Sequence, residues 1–562
     1  MAGDPIEVGT NFTDDFEFRW WRVDEKYQRL RDITDRDIYN YLEQVNRFTA
    51  SVNAGNYSAF AQVDEVSLYL NRYDLDGKVL NERNLLDPDG GLRSPMPGSS
   101  FATVEKLSFG YANGDIKVKL GDFYATFGQG GVLGIDRLVD IDVDTSIQGA
   151  LVQYSPDDWT ITALAGHLNR QQVYQDNPNV LIYGDLRHKV AGVRVENSGI
   201  GPATVGLHST AVAYATDTGL AASFKCRTGV EGCGFAPDVV TGGVTVDIMT
   251  GPIDWATELD VYHFPKASHA AWEIWSFDEP EKLGMAAYGT ASLLAGPVAL
   301  LFEGKRYKNT ERMDSPVESE LYQIVNLPTL EYEVAVNKDT ASAMASNDIY
   351  GGTARADFLV SDAVTPYVWT MISRDRDTGG SHVNHVPETI YHTMVGAEVI
   401  AGESALLLNV GYRLDDRDGT FYTQDQQVYG DLQLKVGFGH EMQISPQLAL
   451  ESFKWGNAVE EGGDPSQQPH DFVEIESGLT FSKGSSFAVT WFTDYTTNDL
   501  VIEQGNLSEP LFGALEVQVK PNSAWTLKGF FGAYKSGIRC SGGQCRVLPG
   551  FNGARFSAVG TF

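Results

Sequence analysis

The chain has 562 residues and a formal net charge of −33. A chain this acidic lacks the basic surface that nucleic-acid binding requires, so we expect no nucleic-acid partner. It is not a bundle of membrane-spanning helices either. The one uncharged stretch of sufficient length, 283–302, contains Gly296-Pro297, which would break a helix and indicates two strands joined by a turn.

The predicted elements begin near the N-terminus. Residues 1–6 form a short tail, and the first strand is predicted around 7–23, which includes Trp20 and Trp21. The opening residues lack the charged and apolar regions of a signal peptide, so we interpret the sequence as the processed form of an exported protein. Because strand-like sequence begins so early, we expect no N-terminal plug domain.

One pattern then repeats along the chain. Segments of about 10–14 residues alternate apolar with polar or small side chains, which is typical of strands with one face towards lipid. In 253–264, an apolar face alternates with Asp254, Glu258 and Asp260. The segments 472–482 and 511–520 alternate in the same way and place further acids on the polar face, namely Glu474, Glu476 and Glu516.

The connections between these segments alternate in length. About 11 are short and rich in Gly, Pro, Asn and Asp, for example Ser445-Pro446, and about 12 are long. A soluble β-sandwich has no reason to alternate loop length in this way. We therefore predict an all-β fold in which residues 1–562 form one domain, a transmembrane antiparallel β-barrel of about 24 strands with short periplasmic turns and long extracellular loops. The main long loops are predicted near 71–99, 126–143, 217–237, 310–347 and 535–550.

Aromatic residues support a membrane location. Trp159, Trp255 and Trp525 each follow a short turn by a few residues, as an aromatic girdle at one membrane interface requires. The chain ends on a strand with a terminal aromatic residue, Phe562, which resembles the C-terminal strand that outer-membrane barrels present to their insertion machinery. We therefore predict an integral outer-membrane protein of a Gram-negative bacterium, with membrane lipid and the insertion machinery as partners.

A more specific likeness lies in two neighbouring segments. Residues 120–130 read LGDFYATFGQG, and residues 144–156 read DTSIQGALVQYSP. Together they resemble an uncharacterised family of porin-like bacterial outer-membrane β-barrels, which has an L-G-D-F-Y-x-x-F-G-x-G element followed by an x-x-x-I-x-G-x-x-x-x-Y-x-P strand. The resemblance covers 120–156 and implies fold and location but no biochemical role. This chain departs from the family in the acidic run from Asp136 to Asp144.

The L-G-D-F-Y-x-x-F-G-x-G element ends a strand and enters a long loop. Its aromatic residues can anchor the loop against the barrel wall, and its glycines permit tight backbone conformations. One interpretation is a loop folded inward that narrows the lumen; the other is a structured corner without a role in transport. The candidate constriction residues are Asp122, Phe123, Tyr124, Phe127, Gly128 and Gly130.

The acidic run contains a candidate metal site. Asp140, Asp142 and Asp144 lie on one face of an extended segment, and three hard oxygen ligands so close together suit Ca²⁺. Two other acidic loops, 74–77 and 415–419, do not match the twelve-residue calcium loop. A solvated acidic surface is the alternative in each case. No other cofactor is predicted.

Charged residues on the polar strand faces line the predicted lumen. Facing rows of opposite charge would impose a transverse field and a preference for cations on a pore. They would also hold strands in register through salt bridges, and the two roles are compatible. The candidate selectivity residues are Asp254, Glu258, Asp260, Glu474, Glu476, Glu516, Lys117 and Lys119.

The four cysteines form two close pairs in predicted outer loops, Cys226 with Cys233 and Cys540 with Cys545. Neither pair has the neighbouring His or the C-x-x-C spacing that a zinc site usually needs. Two local disulfides in an oxidising compartment are the preferred interpretation.

The sequence contains no catalytic motif. His208-Ser209 is the one obvious nucleophile pair, and adjacent strand residues point to opposite faces, so no enzyme is predicted. About 24 strands enclose a wide interior that must be lined or filled. We therefore predict a porin-like channel for passive passage of small solutes or cations, partly occluded by inward-folded loops such as 126–143 and 310–347. The alternative is a structural or conduit barrel that holds a partner protein or lipoprotein in an envelope complex.

Overall fold

The computed structural model describes residues 8–22, 40–68, 100–138, 143–170, 188–213, 239–264, 283–308, 310, 324–330, 348–375, 388–417, 424–454, 471–497, 511–534, 537–541, 544–548 and 551–562. Within these ranges, no helix is long and apolar enough to span a membrane.

The described elements are β-strands. In chain order they are β1 (Val8–Arg22), β2 (Asn40–Ala54), β3 (Tyr57–Leu68), β4 (Ser100–Asn113), β5 (Ile116–Phe123), β6 (Ala125–Phe127), β7 (Leu133–Ile135), β8 (Arg137–Leu138), β9 (Val143–Tyr154), β10 (Trp159–Arg170), β11 (Lys189–Ile200), β12 (Ala203–Ala213), β13 (Val239–Met249), β14 (Ile253–His263), β15 (Leu283–Ala295), β16 (Val298–Lys308), β17 (Asp348–Phe358), β18 (Val364–Asp375), β19 (Glu388–Ala401), β20 (Ser404–Arg417), β21 (Gln424–Gly437), β22 (Met442–Lys454), β23 (Phe472–Lys483), β24 (Phe487–Thr496), β25 (Leu511–Asn522), β26 (Trp525–Tyr534), β27 (Gly537–Ser541), β28 (Gln544–Leu548) and β29 (Phe551–Thr561).

The wall is one closed antiparallel sheet. Successive strands pair in chain order, with β5 joined to β9, β26 joined to β29, and β1 joined to both β2 and β29. Setting aside the five short strands β6, β7, β8, β27 and β28, the 29 strands leave 24 in the ring. The prediction of an antiparallel barrel of about 24 strands is confirmed, and the first strand, predicted at 7–23, closes the ring.

The short connections are tight hairpin turns. Gly55, Gly114 and Gly402 occupy them with φ of 59°, 55° and 61°, the left-handed region that two-residue hairpin turns favour. The predicted turn at Ser445-Pro446 is wrong, because β22 runs through it and the chain turns at 438–441. Pro446 has no N–H to donate, and the β21–β22 pairing is interrupted between Gln433↔Gln447 and Val436↔Ile444 without a change of register.

The two faces of the wall differ in polarity. On β14, Leu259 is 52% exposed and points outward, whereas the neighbouring Glu258 is 2% exposed and points into the barrel. The same alternation places Val368 and Tyr391 outside and Trp369 and Ile390 inside. An apolar exterior on a closed sheet is what the hydrocarbon layer of a membrane requires, because no backbone edge and no row of charges then faces lipid.

Exposed aromatic residues mark both ends of this apolar exterior. Trp159 and Trp255 are exposed beside short turns. The half-buried Trp525 packs edge-on against the exposed Phe562, with ring centroids 5.3 Å apart. At the opposite ends of their strands, Tyr350, Tyr391 and Tyr495 are also exposed. Two belts of this kind match the interfacial girdles of transmembrane barrels.

The outward face gives a depth-dependent prediction. Leu259→Arg, near the middle of β14, is expected to lower the free energy of unfolding in lipid vesicles by about 2–4 kcal/mol, since it places a charge in hydrocarbon. Ile253→Arg on the same face, at the turn end of the strand, is the control and is expected to cost only about 0–1 kcal/mol. Denaturant titration of the refolded barrel measures both. Equal costs at the two positions would contradict the membrane-spanning orientation.

Candidate functional site

The strand β5 leaves the wall at its end and enters the barrel. Gly121 adopts a φ of 92°, and a Cβ there would lie 2.0 Å from the Leu107 carbonyl oxygen, so only glycine fits the corner. The following residues 124–135, with β6 and β7 paired as a hairpin, lie against the inside of the wall. We call residues 124–135 the inner hairpin.

The departure of β5 leaves part of β4 facing β9 without backbone pairing, and polar side chains bridge this gap. The Asp122 carboxylate accepts from the Leu107 N–H of β4 (2.7 Å) and from the side chain of Asn169 (2.7 Å). The Asn169 amide also donates to the Glu105 carbonyl of β4 (2.8 Å). Buried backbone groups that lose a strand partner need such substitutes. Asp122 is therefore a corner residue, and the loop beyond it folds inward.

Asp144, the last residue of the acidic run, also lies in this gap. Lys106 of β4 forms a buried ion pair with Asp144 of β9, and the Tyr124 phenol donates to the same carboxylate. Burial and the adjacent carboxylate raise the pKa of Tyr124 well above its usual range, so this phenol stays protonated. Arg137 lies 3.6 Å from the other Asp144 oxygen. Asp140 and Asp142 fall outside the described residues, so the Ca²⁺ site remains a prediction.

An apolar core holds the inner hairpin against the wall. Phe127, Leu133 and Ile135 are buried, and the Phe127 ring packs so closely on Gly192 of β11 that a Cβ at Gly192 would lie 2.8 Å from it. A second inner stretch, residues 324–330, contributes Ile324 and Val325 to the same core; we call it the inner segment. The wall residues of this core are Phe123, Ile147, Leu164, Leu168, Val190, Val212, Val239, Tyr262, Phe264, Ala286, Tyr307 and Ile349.

Backbone hydrogen bonds join the inner hairpin to the inner segment. The Gly134 N–H donates to the Ile324 carbonyl (2.8 Å), and the Asn326 N–H donates to the Gly130 carbonyl (3.0 Å). Gly130 has a φ of 101°, and a Cβ there would lie 2.6 Å from the Asn326 carbonyl oxygen. The two inner stretches therefore form one unit, which extends across the wall until Leu330 packs against Trp369 and Ile390.

Side chains of β12 and β14 fix the turn of the inner hairpin. Tyr262 donates to the Gly131 carbonyl (2.7 Å), and Thr210 donates to the Val132 carbonyl (3.2 Å). The Gln129 N–H donates to the Glu258 carboxylate. Gly128 has a φ of 61°, and a Cβ there would lie within 2.6 Å of the same carboxylate. Five of the six candidate constriction residues (Phe123, Tyr124, Phe127, Gly128 and Gly130) thus lie in or directly beneath the inner hairpin.

The structure separates the eight candidate selectivity residues into two groups. Glu258 and Asp260 are buried under the inner hairpin, and Glu474 is buried with its carboxylate accepting from Thr496 (2.8 Å). The other five remain accessible: Asp254, Lys117 and Lys119 are exposed, and Glu476 and Glu516 are half-buried.

Further charged residues on the inner face of the wall form ion pairs. Arg413 and Asp415 are buried and 2.6 Å apart, and Arg355 and Asp357 are 2.9 Å apart. Arg47 on β2 binds Asp64 on β3 with two nitrogens, the shorter contact being 2.7 Å. Each pair is locally neutral, and the Arg47–Asp64 pair also joins two neighbouring strands, which is the register role considered from the sequence.

Sequence reasoning missed the group around His208. His208 and Ser209 do point apart: the Ser209 hydroxyl donates to the Thr241 carbonyl (2.6 Å), while His208 faces inward and its Nε2 lies 2.9 Å from Asp260. The register His208↔Gly243↔Asp260 across β12, β13 and β14 brings them together. No spacing along the chain indicates this, because the three residues belong to different strands.

The cysteine prediction is only partly covered by the described residues. Cys540 of β27 and Cys545 of β28 are directly opposite each other in the hairpin register. Cys226 and Cys233 lie outside the described residues, and both disulfides remain predictions.

No protein-family model matches the sequence, and no curated protein sequence matches it. Solved structures do. Pseudomonas aeruginosa OpdK with vanillate gives a TM-score of 0.35 at 9% identity, over 76% of this chain and 97% of that chain. The copper transporter OprC gives 0.44 at 11% identity, over 100% and 81%. The siderophore receptor PirA from Pseudomonas aeruginosa gives 0.42 at 8% identity, over 100% and 81%.

The packing of Phe127 gives a testable prediction. Phe127→Ala removes a buried ring, a change that costs about 3–5 kcal/mol in protein cores. Because the core joins the inner hairpin to a wall held by its own hydrogen bonds, we expect the loss to weaken hairpin docking. Amide hydrogen exchange should become faster in peptides covering 124–135 and stay unchanged in β22 to β24. The control Phe302→Ala, on the outward face, should leave exchange at 124–135 unaltered. Unchanged exchange in Phe127→Ala would contradict the described packing.

Proposed function

We propose that the protein is an integral outer-membrane channel for passive passage of small solutes, with a preference for cations and a lumen narrowed by the inner hairpin and the inner segment. The observation that carries this proposal is the inner hairpin itself. It is fixed to the lumen side of a closed barrel by a buried apolar core and by hydrogen bonds from two wall strands.

The reach of the inner stretches supports a narrowing role. Their apolar contacts begin at Phe123 on β5, continue along the wall to Ile349 on β17, and reach Ile390 on β19 through Leu330. The strands from β5 to β19 that take part, β5 and β9 to β19, are 12 of the 24 in the ring, so the inner stretches extend along half of it. A barrel of 24 strands is wider than the 16–18-stranded barrels that already enclose an aqueous channel, so an occupied interior limits the size of what passes.

The accessible charges support a preference for cations. The buried pairs Arg413–Asp415 and Arg47–Asp64 are internally neutral, so they contribute little to the field along the path. Asp254, Glu476 and Glu516 remain accessible, as do Lys117 and Lys119. The chain as a whole carries a net charge of −33, which raises the local concentration of cations at its surface.

Deleting the inner hairpin tests the narrowing role. Removal of 125–135 is expected to increase single-channel conductance in a planar bilayer, because the lumen loses the hairpin that narrows it. Removal of 537–548, which contains the β27–β28 hairpin, is the matched control and should leave conductance near that of the full chain. Equal conductance of the full chain and the 125–135 deletion would contradict the proposal. A large unselective conductance in the full chain would instead favour a conduit barrel whose lumen a partner fills.

The accessible acids give a separate prediction for selectivity. The combined substitution Asp254→Asn, Glu476→Gln and Glu516→Gln should shift the reversal potential under a KCl gradient towards zero or towards anion preference. Glu474→Gln changes the same kind of side chain at a buried position and should leave the reversal potential unchanged. A shift in the control alone would mean that the ion path runs elsewhere.

A further inference from the structure

Three ligand-forming side chains meet beneath the inner hairpin. The Nε2 atom of His208 lies 2.9 Å from an Asp260 oxygen and 3.7 Å from the Oε1 oxygen of Glu258. One ligand atom from each side chain can be chosen so that all three lie within 4.8 Å of one another, and all three residues are buried. The group brings together one imidazole and two carboxylates from β12 and β14, with β13 passing between them.

The intervening strand is shaped to permit this meeting. Gly243 of β13 lies between His208 and Asp260 in the register. A Cβ at Gly243 would lie 1.8 Å from the Asp260 oxygen and 2.4 Å from His208 Nε2. Any side chain at this position would therefore displace Asp260, His208 or both, because their polar atoms occupy the space over the Gly243 backbone.

The charges of Glu258 and Asp260 are not balanced by the groups around them. Among the described residues, His208 is the basic group that contacts Glu258 and Asp260, and the nearby Arg194 is paired with Glu196. The Gln129 N–H satisfies one Glu258 oxygen, but the buried Oε1 oxygen has no hydrogen-bond partner. Burying two carboxylates is costly when one of their oxygens has no hydrogen-bond partner. The group therefore needs a compensating cation or proton.

The spacing fits a divalent transition metal. Metal–ligand bonds of about 2.0–2.1 Å in a tetrahedral site place ligand atoms about 3.3 Å apart. The two distances from His208 Nε2, 2.9 Å and 3.7 Å, lie on either side of this value, and the Glu258 and Asp260 oxygens lie within 4.8 Å of each other. An imidazole with two carboxylates suits Zn²⁺ and its neighbours in the first transition row, whereas Ca²⁺ and Mg²⁺ prefer oxygen ligands alone. The three side chains leave the fourth position for water.

We propose that His208, Glu258 and Asp260 form a binding site for a divalent first-row transition metal such as Zn²⁺, which compensates the buried carboxylates beside the turn of the inner hairpin. Because Glu258 also accepts from Gln129, the bound ion would join the hairpin to β12 and β14. This metal-site proposal does not depend on whether the barrel conducts ions.

Cobalt substitution tests the site in the full-length barrel purified in detergent. One equivalent of Co²⁺ is expected to give the visible absorption bands of a four-coordinate ion, and Zn²⁺ should abolish them by displacement. His208→Gln and Asp260→Asn should each weaken Co²⁺ binding by at least about tenfold. His263→Gln, an exposed position on β14, is the matched control and should bind as the unmodified chain does. Heat-modifiable electrophoresis checks that every variant is folded.

A measurement on the unmodified chain keeps the proposal testable if a variant fails to fold. X-ray absorption of the Zn²⁺-loaded protein should report one imidazole and otherwise oxygen ligands at about 2.0–2.2 Å. Absence of a stoichiometric bound ion, a ligand shell without imidazole, or unchanged Co²⁺ affinity in folded His208→Gln would each overturn the assignment. Loss of conductance has no bearing on these results, so failure of the channel proposal and failure of the metal site can be told apart.

Discussion

The structure depends on one constraint: every backbone N–H and C=O that faces hydrocarbon needs a partner within the protein. The wall meets it by closing, with Val8–Arg22 paired to Asn40–Ala54 on one side and to Phe551–Thr561 on the other. Closure leaves no strand edge in the ring and forces the side chains to divide between two environments. The outward set is apolar, and the inward set contains the ion pairs and the inner core.

The same constraint explains the side chains found where the chain leaves β5 and enters the lumen. When the chain leaves β5 for the lumen, backbone groups of β4 lose their strand partner, and Asp122 and Asn169 replace it with side-chain hydrogen bonds. Gly121 permits the sharp corner, since a Cβ there would overlap the Leu107 carbonyl. The short motif that begins at Leu120 therefore turns a wall strand inward, and its Asp122 binds a backbone N–H of β4 that this turn leaves unpaired.

The inner hairpin takes part both in the proposed narrowing of the lumen and in the proposed metal site. Its apolar residues attach it to the wall, while its turn lies on a polar patch of β12 and β14 where Glu258 contacts Gln129. A buried carboxylate in contact with a backbone N–H fixes orientation as well as position, because the hydrogen bond has a preferred direction. The narrowing of the lumen and the proposed metal site are thus two properties of one junction, and both need small residues, Gly128 on the hairpin and Gly243 on the wall.

The sequence by itself determined the barrel, because alternation along a strand and loop length are local properties. It indicated about 24 strands, the outward position of Leu259, and the inward position of Glu258 and Asp260. Local reasoning failed at Ser445-Pro446, where a proline lies within a strand rather than in a turn. Only the tertiary structure decided which inward residues stay accessible and which the hairpin covers. Only the register across β12, β13 and β14 placed His208 beside Asp260, because residues far apart in the chain become neighbours through pairing that no spacing reveals.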